Sequence, residues 1–144
     1  MNKKVIALGN RLMMDDKIAL LVSENLLKVF TDNNIEVIIG ETDVDYCLSK
    51  LNCEDEFYII DSTYFGDVAG TITTRPLSDI KKAYKYQKQA HSLNLLDLIN
   101  IYDIDVKGYF IGIEIQSIKM HYGISVELQE IFQSICSEIL KIIV

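Results

Sequence analysis

The chain has 144 residues and 49% of them are hydrophobic, enough for one domain with a real core. Its net charge of −7 argues against general nucleic-acid binding, because neutralising phosphates requires a basic face. No apolar run is long enough to span a bilayer, and the opening MNKKVIALGN reads as a first strand, not a signal peptide, so a soluble cytoplasmic protein is expected.

Residues 4–8 form a β-branched apolar run that ends at Gly9-Asn10, the pattern of a buried strand followed by a turn. Ile18, Leu21, Val22, Leu26, Val29 and Phe30 then recur at helical spacing. They predict an amphipathic helix that starts near Asp15-Asp16 and runs to Phe30. Residues 35–39 predict a second strand, 44–51 a short helix, and 57–60 a third strand ending directly on Asp61. Residues 71–74 alternate weakly and Pro76, the single proline, closes them.

From Arg75 to Lys88 the chain carries five cations interleaved with Tyr84 and Tyr86. This is the composition of a solvated surface segment, with a docking surface for an acidic or phosphorylated partner as the sharper reading. Residues 92–102 predict a helix with Ser92 near its N-cap, and 109–115 a strand interrupted by Gly112. Leu128, Ile131, Phe132, Ile135, Ile139 and Ile142 mark a long last helix with Ser125 as N-cap and Glu127 in its first turn. Its apolar stripe is expected to pack on a sheet, not on a membrane.

Strands alternate with helices throughout, which predicts an α/β three-layer sandwich with a mostly parallel central sheet flanked by helices, in one domain over residues 1–144. Cys47, Cys53 and Cys136 are odd in number and lack CxxC spacing, so neither a thiolate metal site nor a disulfide framework is expected.

In open α/β sheets ligands bind at the carboxyl ends of the strands. Asp15-Asp16 follow the first strand, Asp61 ends the third, and His91 precedes a helix. Two carboxylates and an imidazole suit nickel, zinc or iron, and three protein ligands leave coordination positions open. Each also has an ordinary alternative: either aspartate of the first pair as a helix cap, Asp61 as a turn cap beside Ser62-Thr63, and His91 as a surface histidine. Spacing by itself does not choose between these readings.

The ordered motifs resemble the nickel-iron hydrogenase maturation endopeptidases. Gly9-Asn10-Arg11-Leu12-Met13-Met14-Asp15-Asp16 is similar to that family's Gly-Asn-x-Leu-x-x-Asp-Asp/Glu opening, and Tyr58-Ile59-Ile60-Asp61 to its strand ending in a ligating aspartate. Ala69-Gly70-Thr71-Ile72 resembles its Pro-Gly-Thr segment. His91-Ser92-Leu93-Asn94-Leu95-Leu96-Asp97-Leu98 resembles its His-started helix, and Tyr122-Gly123-Ile124-Ser125 the start of its last helix.

By position, the resemblance implies Asp16, Asp61 and His91 as metal ligands, with Asp16 also a candidate catalytic base. It implies Gly40, Glu41 and Thr42 in the substrate-contacting loop. The activity implied is one cut that removes a C-terminal peptide from a hydrogenase large-subunit precursor after nickel insertion. The nickel would be presented by the substrate, with no organic cofactor, and the protease would be a monomer. The chain departs from the family at Ala7, Lys17 and Ala19, where glycines are usual, and at Ile39-Gly40-Glu41-Thr42, which stands where the family has Asp-Gly-Gly-Thr.

Two other classes of function remain open on sequence. One is a non-catalytic adaptor of hydrogenase maturation. The other is a receiver-like signalling domain using Asp15, Asp16, Asp61 and Lys107, although Lys107 precedes its strand where such a domain needs a lysine at a strand end.

Overall fold

The computed structural model describes residues 1–83, 94–117 and 123–144. The five strands are β1 (Lys3–Leu8), β2 (Glu36–Glu41), β3 (Glu56–Thr63), β4 (Ile72–Pro76) and β5 (Lys107–Glu114). The helices are α1 (Ile18–Asn25), α2 (Leu27–Asp32), α3 (Val44–Lys50), α4 (Leu77–Ala83), α5 (Leu95–Ile101) and α6 (Val126–Ile143), and a 3₁₀ turn (Asp15–Lys17) precedes α1.

The sheet order is β2-β1-β3-β5-β4. The first four strands run parallel, and β4 closes the edge antiparallel to β5. Pro76 ends this edge strand, where a residue without an N–H interrupts no central ladder.

Alternating side chains divide the sheet into two faces. Val5, Tyr58, Ile60, Ile111 and Ile113 pack with Ile18, Val22, Phe30, Leu128, Ile135 and Ile139, so α1, α2 and α6 form one layer. Ile6, Leu8, Phe57, Ile59 and Phe110 pack with Cys47, Leu77, Ile80, Leu95, Leu96 and Ile99, so α3, α4 and α5 form the other. This is the three-layer sandwich expected from the alternation of elements. The apolar stripe of the last helix packs on the sheet, as predicted.

Several boundaries differ from the sequence reading, each for a local reason. The first long helix is interrupted at Leu26 (φ −93°, ψ 3°), although Leu26 N donates to Val22 O and Phe30 N to Leu26 O across the break. β3 continues two residues past Asp61 because β5 pairs with it as far as Thr63↔Glu114. The cap of α5 is Asn94. Its side chain accepts from Asp97 N while the Asp97 carboxylate accepts from Asn94 N, a reciprocal capping box. The predicted cap, Ser92, lies outside the described residues, as do His91, His121 and the end of the basic segment from residue 84 on. The part of that segment that is described contains the exposed end of β4 and α4.

Gly108 takes φ +132°, and a Cβ built there would lie 1.8 Å from the Phe57 carbonyl oxygen of the neighbouring strand. Gly108→Ala is expected to cost about 3 kcal/mol or more, since the backbone must leave a disfavoured region and the β3–β5 ladder must shift. Urea unfolding with an unchanged m-value would measure this.

Candidate active site at the switch point

The chain leaves β1 for β2 on one side and later returns to place β3 on the other side of β1. The crevice beyond the carboxyl ends of β1 and β3 is therefore the switch point where ligands bind in open α/β sheets. The β1–β3 ladder stops at Ala7↔Ile60, whereas the β3–β5 ladder runs on to Thr63↔Glu114. Asp61, Ser62 and Thr63 thus extend beyond β1 as a ledge, and the loop between β1 and α1 folds against it.

Glycine makes that fold possible. Gly9 takes φ +150°, and a Cβ there would lie 2.3 Å from the backbone oxygen of Asp16. The loop consequently brings Asp16 to β3. Asp16 Oδ1 accepts from the Ser62 hydroxyl at 2.5 Å, and its Oδ2 accepts from Asn10 N at 2.9 Å. Ser62 N donates to Asp61 Oδ1 at 2.7 Å. One serine therefore binds both predicted acidic residues, which are 45 positions apart in sequence. Asp61 is 3% exposed and Asp16 is partly exposed at the mouth.

Opposite Asp61 in the ladder stands Gly112, where a Cβ would meet Thr63 Cγ2 at 2.4 Å and the Phe110 ring at 3.0 Å. The absence of a side chain there lets Thr63 and Phe110 close over the ladder position opposite Asp61. By strand alternation Asp61 shares the face of Phe57 and Ile59, which is the face covered by α5. His91 lies outside the described residues. Among the described residues no cluster of three His, Cys, Asp or Glu side chains forms a metal centre.

The two adjacent aspartates do different work. Asp15 is fully buried and accepts from Gln116 N (3.0 Å), Ser117 N (2.9 Å) and Ser125 N (2.6 Å), while its own N–H donates to Ser117 O. It ties the exit of β5 and the N-cap of α6 to the first helix. Asp15 is therefore not a cap of the first helix, whose N-cap Lys17 makes no side-chain cap bond; the backbone it satisfies is about a hundred residues away.

A second buried carboxylate, Glu114, was not singled out from the sequence. It accepts from the Thr63 hydroxyl (2.7 Å) and from the N–H groups of Phe65, Gly66 and Asp67 (2.9–3.1 Å), fixing the loop that leaves the ledge. The only sequence signal was an acidic residue at the end of an otherwise apolar strand.

The predicted substrate loop sits at the adjacent end of β2. Gly40 is a packing residue: a Cβ there would come within 2.3 Å of Cys47 Sγ. Glu41 takes φ +53°, a conformation that favours glycine, at the position where the resembled family carries one. The chain thus keeps the turn while adding a carboxylate. The Glu41 carbonyl accepts from Gly9 N at 3.1 Å and its side chain pairs with Arg11 Nε at 3.3 Å. Arg11 also holds Glu24 at 2.7 Å, and Glu24, with Glu41, raises the guanidinium pKa above its ordinary value. Thr42 is exposed beside them.

Lys107 is at the far end of the sheet. It pairs with Glu56, whereas Asp61 pairs with Gly112, a separation of about 16 Å at roughly 3.3 Å per residue. The phospho-acceptor arrangement of a receiver domain is therefore not present.

The fold and this site define a doubly wound α/β protein with paired carboxylates at its switch point. A model of the hydrogenase maturation protease family matches residues 20–143. Solved structures share the fold. The hydrogenase maturating endopeptidase HybD from E. coli is 18% identical with a TM-score of 0.79, over 98% of this chain and 91% of that one. The NiFe hydrogenase maturation protease HybD from Thermococcus kodakarensis is 22% identical with a TM-score of 0.74, over 100% of both chains. A hydrogenase 3 maturation protease is 20% identical with a TM-score of 0.73, over 95% of this chain and 88% of that one. A comparison with curated protein sequences found no match.

The chain belongs to the hydrogenase maturation protease family and is an endopeptidase of hydrogenase maturation. The family match starts four residues after Asp16, so the case for Asp16 rests on its geometry at the ledge.

Proposed function

We propose that this endopeptidase removes a C-terminal peptide from a hydrogenase large-subunit precursor once nickel is in place, and that Asp16, Asp61 and His91 grip that nickel. The observation that carries the reading is the joining of Asp16 and Asp61 through Ser62 at the switch point. Two carboxylate oxygens with one imidazole nitrogen form a donor set suited to a divalent transition metal. His91 precedes α5, whose described residues pack on the face to which Asp61 belongs, and this supports a common site. In this reading the ion is part of the substrate and reports that the precursor is ready.

Held at the ledge, the nickel would supply Lewis acidity near the scissile carbonyl. The chain's own part is orientation. Asp16 is held by a hydrogen bond to each oxygen, and Gly9 lets the loop backbone pack against Asp16 closely enough to bring it to β3. Asp16 is the more exposed of the two site carboxylates and is the candidate to accept a proton from an attacking water. The loop of Gly40, Glu41 and Thr42, braced by Arg11, would contact the precursor. No helix among the described residues is long and apolar enough to cross a membrane, which is compatible with work on a cytoplasmic precursor.

The test is incubation with nickel-loaded and nickel-free precursor followed by mass measurement, with a parallel titration of the protease by nickel, cadmium or zinc. Shortening of the loaded precursor only, and metal binding weakened by His91→Ala, are expected. An intact tail in both samples would favour a non-catalytic adaptor instead.

A further inference from the structure

We infer that Ser62 is a positioning residue for the protease reaction, aligning both site carboxylates through two different groups of one residue. The inference rests on the reading of Asp16 and Asp61 as the reaction site. Ser62 is 1% exposed, and its position on β3 is set by ladder pairing with Ile113. Its hydroxyl donates to Asp16 Oδ1 and its backbone N–H to Asp61 Oδ1.

The two bonds differ in what a mutation removes. The backbone bond survives any side-chain replacement except proline, so Asp61 stays oriented. The hydroxyl bond is side-chain chemistry alone, and its loss removes the link that ties Asp16 Oδ1 to β3, while the bond from Asn10 N to Oδ2 is untouched. A serine hydroxyl can donate one proton to the carboxylate and retain acceptor capacity. It therefore holds Asp16 Oδ1 without adding charge at the site. Groups that orient a metal-binding or reacting carboxylate in this way usually govern affinity or rate by about 10–100-fold.

Burial of the serine is not itself the reason for its presence. Ser23 is equally buried, yet its hydroxyl has no hydrogen-bond partner among the described residues. The two serines form an internal comparison: the same atom lost from the same degree of burial, once at the site and once away from it.

The experiment compares Ser62→Ala, Ser62→Thr and Ser23→Ala in steady-state cleavage of nickel-loaded precursor and in cadmium titration of the isolated protease, with thermal melts on each. Ser62→Ala is expected to lower kcat by about 10–100-fold with KM unchanged, and to weaken cadmium binding by a similar factor. Ser62→Thr, which keeps the hydroxyl, is expected to recover most of both. Ser23→Ala should match the wild type in both readouts. Ser62→Ala equal to wild type in kcat and cadmium affinity would overturn the inference while leaving the site intact. A wild-type protein that neither cuts the precursor nor takes up cadmium would overturn the site reading, and this inference with it. Cleavage without cadmium uptake by the wild type, still slowed by Ser62→Ala, would support Ser62 as aligning Asp16 for proton transfer.

Discussion

Asp15→Ala is expected to lose about 3–4 kcal/mol of stability, a large share of the roughly 5–15 kcal/mol typical of a domain. Three backbone N–H groups lose their acceptor at once. An orphaned donor costs about 1–3 kcal/mol, with Ser125 N, which is buried, at the upper end and Gln116 N, nearer solvent, at the lower. Asp15→Asn keeps one acceptor oxygen but turns an NH₂ toward donors, so it should fall between wild type and alanine. Urea unfolding monitored by circular dichroism measures the difference. A loss under about 1 kcal/mol would mean that the loop at the start of α6 finds other partners and that Asp15 is dispensable.

Asp16→Ala, one residue along, is expected to show the reverse pattern. Cleavage of the precursor should fall by at least about 100-fold, the low end of what a positioned acid–base group contributes, and further if metal binding is lost too. Stability should fall by only about 1–2 kcal/mol, because Asp16 is itself partly exposed and its partners include the N–H of half-buried Asn10 as well as the Ser62 hydroxyl. Asp61→Ala should match it in activity. Progress curves on nickel-loaded precursor, read beside urea melts of the same variants, separate the two effects. An Asp16→Ala enzyme that still cuts at the wild-type rate would remove this residue from the mechanism.

The contrast between these neighbours marks the boundary of what a linear reading can resolve. The Asp-Asp pair was visible as a motif after the first strand, and the resemblance assigned the second of them. Composition offered no reason to separate them, since either could cap the following helix. The partners that separate them are Gln116, Ser117 and Ser125 for Asp15 and Ser62 for Asp16, none of them local. Ser62 itself was read only as support for a turn at Asp61. Its two-sided role depends on β3 running past β1, which is a matter of ladder length and not of any residue pattern. Glu114 was passed over because a single acid closing an apolar strand has no periodicity to betray it.

The substrate loop shows the same division. The resemblance implies a loop at Gly40, Glu41 and Thr42 after a strand of residues 35–39, whereas Gly40 and Glu41 are the last residues of β2, and their individual roles are not legible in sequence. Gly40 faces Cys47 across a helix–strand contact, and Glu41 holds a glycine-like conformation while pairing with Arg11.

The sequence by itself determined the layered architecture, because strand and helix periods, caps such as Ser125 and turns such as Gly9-Asn10 are written in neighbouring residues and repeat at fixed intervals. It also placed Asp16 after the first strand and Asp61 toward the end of the third, the strands whose carboxyl ends meet at the switch point. Only the tertiary structure decided which carboxylates hold the fold together and which face the crevice. That choice depends on hydrogen bonds between residues 46 to 110 positions apart, and no local pattern encodes a partner at that distance.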